Sequence, residues 1–495
     1  MFDSAELEHK VDKATYRHEV PKLRKDLLNA QFDLGQDRRF PVLVVIAGVE
    51  GAGKSETVNL LNEWMDPRHI QNVAFDQPTR EDLDHPRMWR YWRALPPKGR
   101  VGILFGAWHT EPILDRVFGR STNAEFEKRI AEILRLEQML ADEGVLILKF
   151  WFHLTKKQQH KRLRALEKDP RTRWRVTKRD WEYFAKFDAF EKTAVQFTRQ
   201  TSTGEAPWIV VAGADPAYRS LMVGKTLLAA MRERLDEKPV KRLPDKNPPL
   251  LPPVDRLNVL RALELDRPMT VERYATLREK WQGRLAVLSR DAKFKKSGVI
   301  AVFEGNDAAG KGGAIRRVTQ ALDARVYTGF PIAAPTEEER AQPYLWRFWR
   351  RIEPRGRFAL FDRSWYGRVL VERVEGLCTE HDYMRAYTEI NDFERELAEY
   401  GFVVAKFWLA ISKDEQLKRF RAREKTSFKR FKITDDDWRN RKKWNDYELA
   451  VCDMVDRTST EYAPWTLVEA NNKYFARLKV LKTLCKAIEG AFDRG

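Results

Sequence analysis

One nine-residue stretch concentrates the residue types that handle phosphate: Glu304-Gly305-Asn306-Asp307-Ala308-Ala309-Gly310-Lys311-Gly312. It follows the apolar run Val299 to Phe303 and precedes a helical pattern that begins near Gly313. Glycines at both ends let the backbone turn tightly, so its amides can cradle phosphate oxygens at a helix N-terminus while Lys311 reaches the group being transferred. The loop-borne phosphate contacts are then Gly305, Asn306, Ala308, Ala309, Gly310 and Gly312. One position departs from the G-x-x-x-x-G-K-[ST] pattern: Gly312 stands where a hydroxyl for Mg²⁺ is expected, and the acidic Asp307 sits inside the cradle. A carboxylate facing phosphates repels them unless it holds a metal or takes part in the chemistry.

A second charged group ends the run Arg357 to Arg368, in which an apolar strand delivers Asp362, Arg363 and Arg368. Asp362 has the setting of a Walker-B acid, able to order Mg²⁺ directly or through water. Arg363 and Arg368 suit neutralisation of a transferring phosphoryl group. The plainer alternative is a salt bridge between neighbouring acid and base. A basic run from Lys413 to Lys432, with Arg421, Arg423 and Lys432 as phosphate contacts, fits a helical lid over the site. Its plainer alternative is a solvated helix face. The aromatic residues Trp346, Phe348, Trp349, Trp365 and Tyr366 are read as core, and His109 and His153, which show no partner pattern, as structural.

These residues must be held by regular elements, and the chain supplies them twice. The buried-strand run Pro41 to Ala47 leads into Gly48-Val49-Glu50-Gly51-Ala52-Gly53-Lys54-Ser55, a second phosphate loop. A shift of 257 positions carries Lys54 onto Lys311, Lys149-Phe150-Trp151 onto Lys406-Phe407-Trp408, and Thr201-Ser202-Thr203 onto Thr458-Ser459-Thr460, without a gap. The chain is an internal duplication. In the second copy, apolar runs at 299–304, 326–334, 357–362, 402–411 and 464–470 alternate with longer helical stretches. That alternation predicts an α/β fold, a parallel sheet flanked by helices with ligand beyond the strand C-termini. A helix is predicted over residues 7–32, with a turn at Gly35. Domain one is placed at 1–237, a proline-rich connector at 238–254, and domain two at 255–495.

The duplication also serves as an alignment. Opposite Asp307, Asp362, Arg363 and Arg368 the first copy has Glu50, Phe105, Gly106 and Glu111. Losing the metal acid and reversing the charge offered to phosphate leaves the second copy as the catalytic one, and the first as structural or regulatory.

The 495 residues carry a formal net charge of +18 and 43% apolar residues, the balance of a globular protein that attracts polyanions. No apolar run approaches the ~18 residues of a membrane span, the N-terminus is too polar for a secretory signal, and a cytoplasmic location is expected. Cys378, Cys452 and Cys485 are too scattered for a disulfide framework or zinc site.

Together Gly305 to Gly312, Phe361 to Arg368, and Thr458-Ser459-Thr460 with Ala463-Pro464-Trp465 resemble the polyphosphate kinase 2 family, and the fused pair resembles its two-domain members. The resemblance implies tandem thymidylate-kinase-like P-loop domains, Mg²⁺ dependence, and transfer of the terminal phosphoryl group of inorganic polyphosphate to AMP, giving ADP. It makes Asp307 the acid that orients or deprotonates the acceptor with the metal, Lys311 a phosphate anchor, Asp362 the second metal acid, and Arg363 and Arg368 a phosphate clamp. Other readings stay open: an ATP-dependent nucleotide kinase, a polyphosphate-dependent kinase of ADP or GDP, or a nucleic-acid-binding P-loop protein, for which no recognition signature is seen. A homo-oligomer is also left open.

Overall fold

A computed structural model describes residues 2–237, 258–427 and 433–494. The proline-rich connector therefore lies outside the described residues, as does Lys432. The chain divides into two compact units, one of Met1–Pro78, Arg90–Val240 and Pro335–Arg347, the other of Thr79–Trp89, Lys241–Ala334 and Phe348–Gly495.

Each unit is built on a five-stranded sheet in which every pairing is parallel. In the first unit the strands are β1 (Val42–Gly48), β2 (Ile70–Ala74), β3 (Val101–Phe105), β4 (Leu146–His153) and β5 (Trp208–Ala212), in the order β2-β3-β1-β4-β5. In the second they are β6 (Gly298–Gly305), β7 (Tyr327–Pro331), β8 (Phe358–Asp362), β9 (Phe402–Ala410) and β10 (Trp465–Glu469), in the order β10-β9-β6-β8-β7. The two orders are the same once sequence copies are matched. The predicted strands are found in place; the run at 326–334 is shorter at both ends, since Ala324–Val326 forms a turn of 3₁₀ helix before β7 starts and the strand stops at Pro331.

The central strands β6 and β9 are near-continuous apolar runs with helices on both faces, as a doubly covered sheet requires. Trp346, Phe348, Trp349, Trp365 and Tyr366 are all buried, in agreement with their assignment to the core. The N-terminal helix runs Lys13–Asp37 and not 7–32. It starts where the Asp12 carboxylate accepts from the amides of Ala14 and Thr15, passes through Gly35, and stops at Arg38, whose backbone turns left-handed at φ 52°. Among the described residues no helix is long and apolar enough to cross a membrane.

Inside the second unit one buried ion pair ties four elements together. Lys406 on β9 donates to Glu394 Oε2 (2.7 Å), to the Tyr366 hydroxyl (2.8 Å) and to the Thr458 carbonyl (2.7 Å), which uses all three of its protons. Glu394 Oε1 in turn accepts from Tyr366 Oη (2.7 Å) and Trp365 Nε1 (3.0 Å). Both charged side chains are fully buried. Glu394→Ala strands the Lys406 ammonium and two further donors, and we expect it to cost about 3–5 kcal/mol in urea unfolding. Glu394→Gln, which keeps an acceptor, is expected to lose clearly less.

Candidate phosphate-transfer site

The loop leaves β6 through Gly305, where φ is 150° and a Cβ would lie 2.4 Å from the Leu409 carbonyl oxygen. Only glycine fits there, because β9 runs directly alongside. Ala308 and Gly310 then adopt left-handed conformations, φ 63° and 113°, and turn the chain into the helix Lys311–Thr319. That helix begins two residues earlier than Gly313 and puts Lys311 at its first position, with the loop amides at its positive end.

Two side chains missed in the sequence fix this loop from behind. Arg419, buried in the helix Lys413–Glu424, donates to the carbonyls of Ala308 (3.0 Å) and Ala309 (2.9 Å) with one nitrogen, and to those of Ala470 (2.7 Å) and Asn471 (2.8 Å) with the other. Gln416, a turn earlier, donates to the Asp307 carbonyl at 3.2 Å. The carbonyls of Asp307, Ala308 and Ala309 are thus held on the protein side, while the amides of Asn306 and Ala309 donate to the carbonyls of Leu409 (3.2 Å) and Asn306 (3.0 Å), so a ligand is left the remaining amides of the turn. Asn306 contributes a clasp of its own: its side-chain oxygen accepts from the Ile411 amide at 3.2 Å.

Asp307 is the meeting point of the polar side chains. One carboxylate oxygen accepts from Asn440 at 2.9 Å, and the other lies 3.4 Å from Arg363. Arg363 itself sits at φ 65°, half-exposed, just beyond the end of β8. Burial works against its charge, but the carboxylates of Asp307, Glu304 and Asp362 outweigh that and raise its pKa. Asp362 ends β8 in register with Phe303 on the neighbouring β6, so sheet pairing brings the second acid to the loop's strand. Glu304, also missed, is 5% exposed and accepts from the Ser364 hydroxyl at 2.9 Å. Burial raises its pKa, and the negative charge of Asp362 adds to the shift. Lys311 donates to the Gly305 carbonyl at 2.8 Å. A cavity of about 90 Å³ lies here, walled by Gly305, Asn306, Asp307, Lys311 and Arg363 with Trp444 and Tyr447 opposite.

Not every expected residue gathers at this point. Arg368 pairs with Glu372 at 3.0 Å, one turn further on, and does not line the cavity. Arg421 is exposed and shares a shallow groove with Lys418 and Lys425, on the side of the helix away from Arg419 and Gln416. Arg423 lies within the electrostatic reach of Arg419 and Asp437. Asn440, Trp444 and Tyr447 had no motif to announce them; the signal available was their place in the segment after the basic run.

A parallel sheet carrying a glycine-turned loop, an anchoring lysine, two strand-end acids and an arginine defines a P-loop kinase-like α/β protein. The polyphosphate kinase 2 (PPK2) profile matches residues 10–239 and 269–494, and the chain belongs to that family. It is 55% identical over its whole length, and the whole of the relative's, to a polyphosphate:AMP phosphotransferase of Pseudomonas aeruginosa. It is 36% identical to one from Acinetobacter johnsonii over 95% of this chain and 97% of that one. A GDP-polyphosphate phosphotransferase of Mycobacterium tuberculosis matches 42% of the chain at 37% identity, covering 71% of that protein. The crystal structure of a putative polyphosphate kinase 2 from Pseudomonas aeruginosa superposes with a TM-score of 0.91 at 52% identity, covering all of both chains.

The contacts of Arg419 generate an expectation separable from charge. Arg419→Lys keeps the cation but cannot serve two carbonyl pairs at once. We expect the loop to shift and phosphoryl transfer to fall by about 10²-fold, the scale of a roughly 1 Å misplacement, read as a drop in kcat with the circular dichroism spectrum retained.

Proposed function

We propose that this protein transfers the terminal phosphoryl group of inorganic polyphosphate to AMP, giving ADP, at the second copy's loop, and that the first copy, residues 1–237, is not catalytic. The observation that carries the reading is the convergence of Asp307, Lys311 and Arg363 on one loop, with Asp362 delivered beside it by β8. The preference for AMP is supported by the full-length likeness to two-domain relatives that bear that name.

The chain's own residues divide the work of an in-line displacement. The loop amides and Lys311 bind oxygens of the phosphates, with Lys311 leaving or sharing the Gly305 carbonyl. Asp307, oriented by Asn440, faces the acceptor phosphate and takes or positions its proton. Arg363 neutralises charge as the bond from the terminal phosphorus to the bridging oxygen breaks and the bond to the AMP oxygen forms. Arg368 joins when a phosphate replaces Glu372 as its partner. Asp307 and Asp362 fit a divalent cation: they are hard oxygen donors at the C-terminal ends of neighbouring strands, and among the described residues the Asp307 carboxylate meets Asn440 and Arg363, so lone pairs remain. We take the ion to be Mg²⁺; when bound, it supplies charge neutralisation and orientation of phosphate oxygens. Arg423, within electrostatic reach of Arg419 and Asp437, and Arg421 with Lys418 and Lys425 offer cationic surface to the distal part of the polyanion. Cys378, Cys452 and Cys485 are free thiols, which supports a cytoplasmic location.

Supplied with Mg²⁺, AMP and polyphosphate, the protein is expected to form ADP without ATP; ADP formed only when ATP is the donor would overturn the reading. Asp307→Asn and Lys311→Ala should each lower turnover at least about 10²-fold, whereas Lys54→Ala should leave most of it. Replacing Lys418, Arg421 and Lys425 together by alanine is expected to raise KM for polyphosphate several-fold, flatten its dependence on ionic strength, and leave kcat unchanged.

A further inference from the structure

The first copy's loop borders a cavity of about 460 Å³, five times the volume of its catalytic counterpart. The two are the same place in the two copies: every residue lining the cavity at the second loop has its equivalent, 257 positions earlier, in the lining of the first. What differs is chemistry. Glu304 and Arg363, the two large charged side chains flanking the second loop, become Ala47 and Gly106, and this opens the space. Asn306, Asn440 and Tyr447 become Val49, Tyr183 and Phe190, so that polar walls turn apolar and aromatic.

Cations in this lining are engaged by protein groups: Arg120 pairs with Asp115 at 2.9 Å and Arg179 with Asp76 at 3.6 Å. Lys54 donates to the carbonyls of Gly48 (2.8 Å) and Val49 (3.2 Å) and to the Glu50 carboxylate (3.3 Å), which engages all three of its protons. Lys311 makes only the first of these contacts.

Two fully buried side chains lining this cavity each keep one polar nitrogen that has no hydrogen-bond partner among the described residues: His109 Nδ1 and Trp151 Nε1. The indole nitrogen can only donate. His109 Nε2 lies 2.6 Å from Glu137 Oε1, so Nε2 carries the proton, and burial keeps the ring neutral by lowering its pKa. Nδ1 is therefore an acceptor. One donor and one acceptor among the rings of Phe75, Tyr91, Phe105 and Tyr183 match the edge and faces of a planar nitrogen heterocycle, and the volume lies within the roughly 300–1,000 Å³ of small-molecule pockets.

We propose that the first copy's cavity binds a purine nucleoside through its base, with any phosphate contributing little. The duplicated phosphate site has become a nucleoside site, and binding there is independent of phosphoryl transfer in the second copy.

Equilibrium dialysis of the full chain carrying Lys311→Ala, which weakens phosphate binding at the second loop, tests this with adenosine, AMP and inorganic tripolyphosphate as probes. Adenosine and AMP should bind with dissociation constants within a few-fold of each other, and tripolyphosphate should not displace adenosine. Leu114→Trp, which fills the cavity from its wall, should remove one equivalent of adenosine. Trp151→Phe, which deletes only the unpaired donor and part of one ring, should weaken adenosine at least tenfold and abolish the rise in melting temperature that adenosine gives, each variant being compared with its own unliganded melt. No adenosine binding at millimolar concentration, displacement of adenosine by tripolyphosphate, or binding unchanged in both variants would overturn the proposal. Binding lost in Leu114→Trp but untouched in Trp151→Phe would overturn the assignment of the base edge.

Discussion

A lysine ammonium buried on a central strand needs a carboxylate, and that requirement organises each half of this protein. Lys406 can remain charged at zero exposure only because Glu394, Tyr366 and Thr458 meet it. Glu394 belongs to the helix Glu380–Glu399, Tyr366 to the turn after β8, and Thr458 to the end of the helix Trp444–Thr458. Satisfying one charge therefore fixes the turn that follows Asp362 and Arg363, and fixes the end of the helix that brings Trp444 and Tyr447 to the cavity. The first copy solves the same problem in the same way: Lys149 meets Glu137 at 2.6 Å and the Thr201 carbonyl at 2.6 Å, with Trp108 and His109 as the further donors to Glu137.

On this frame the second copy's phosphate loop is held largely through its carbonyls. Arg419 belongs to a run of basic residues that looks uniform in sequence, yet it lies inside and binds backbone, while Arg421, two residues on, lies outside. Helix geometry makes the difference, since two residues amount to about 200° of rotation. One basic stretch thus serves two purposes, rigidity on the inner face and an attractive field on the outer one.

Much of this was legible in advance for identifiable reasons. The loop, the strand-end acid and the duplication are written in local spacing, and parallel strand pairing then places Asp362 beside Phe303 without further information. The partners of long-range contacts were not legible. His153 shows no pattern nearby because its partner, Glu6 at 3.0 Å, lies 147 residues earlier. The partner of Arg368, Glu372 one helical turn further on, is likewise not marked by the motif that places Arg368 beside Arg363. Asn440 reaches Asp307 across 133 residues, and nothing short-range marks it. The N-terminal helix ran past Gly35 because a left-handed Arg38, not the glycine, provides its cap.

The way the two copies have diverged follows from where each holds its charge. The buried Lys–Glu pair cannot be removed one partner at a time without exposing the other to an apolar interior, so both copies keep it. The charges around the second copy's loop are the opposite case. Glu304 is a buried carboxylate whose pKa is raised by burial and by the neighbouring charge of Asp362, so holding it ionised works against folding above the ordinary carboxylate pKa. The first copy carries none of these charges at the equivalent positions, where Ala47, Phe105 and Gly106 stand. Sites built for catalysis concentrate like charges that stability alone would disperse. In this chain the dispersed and undispersed versions stand 257 residues apart on one framework.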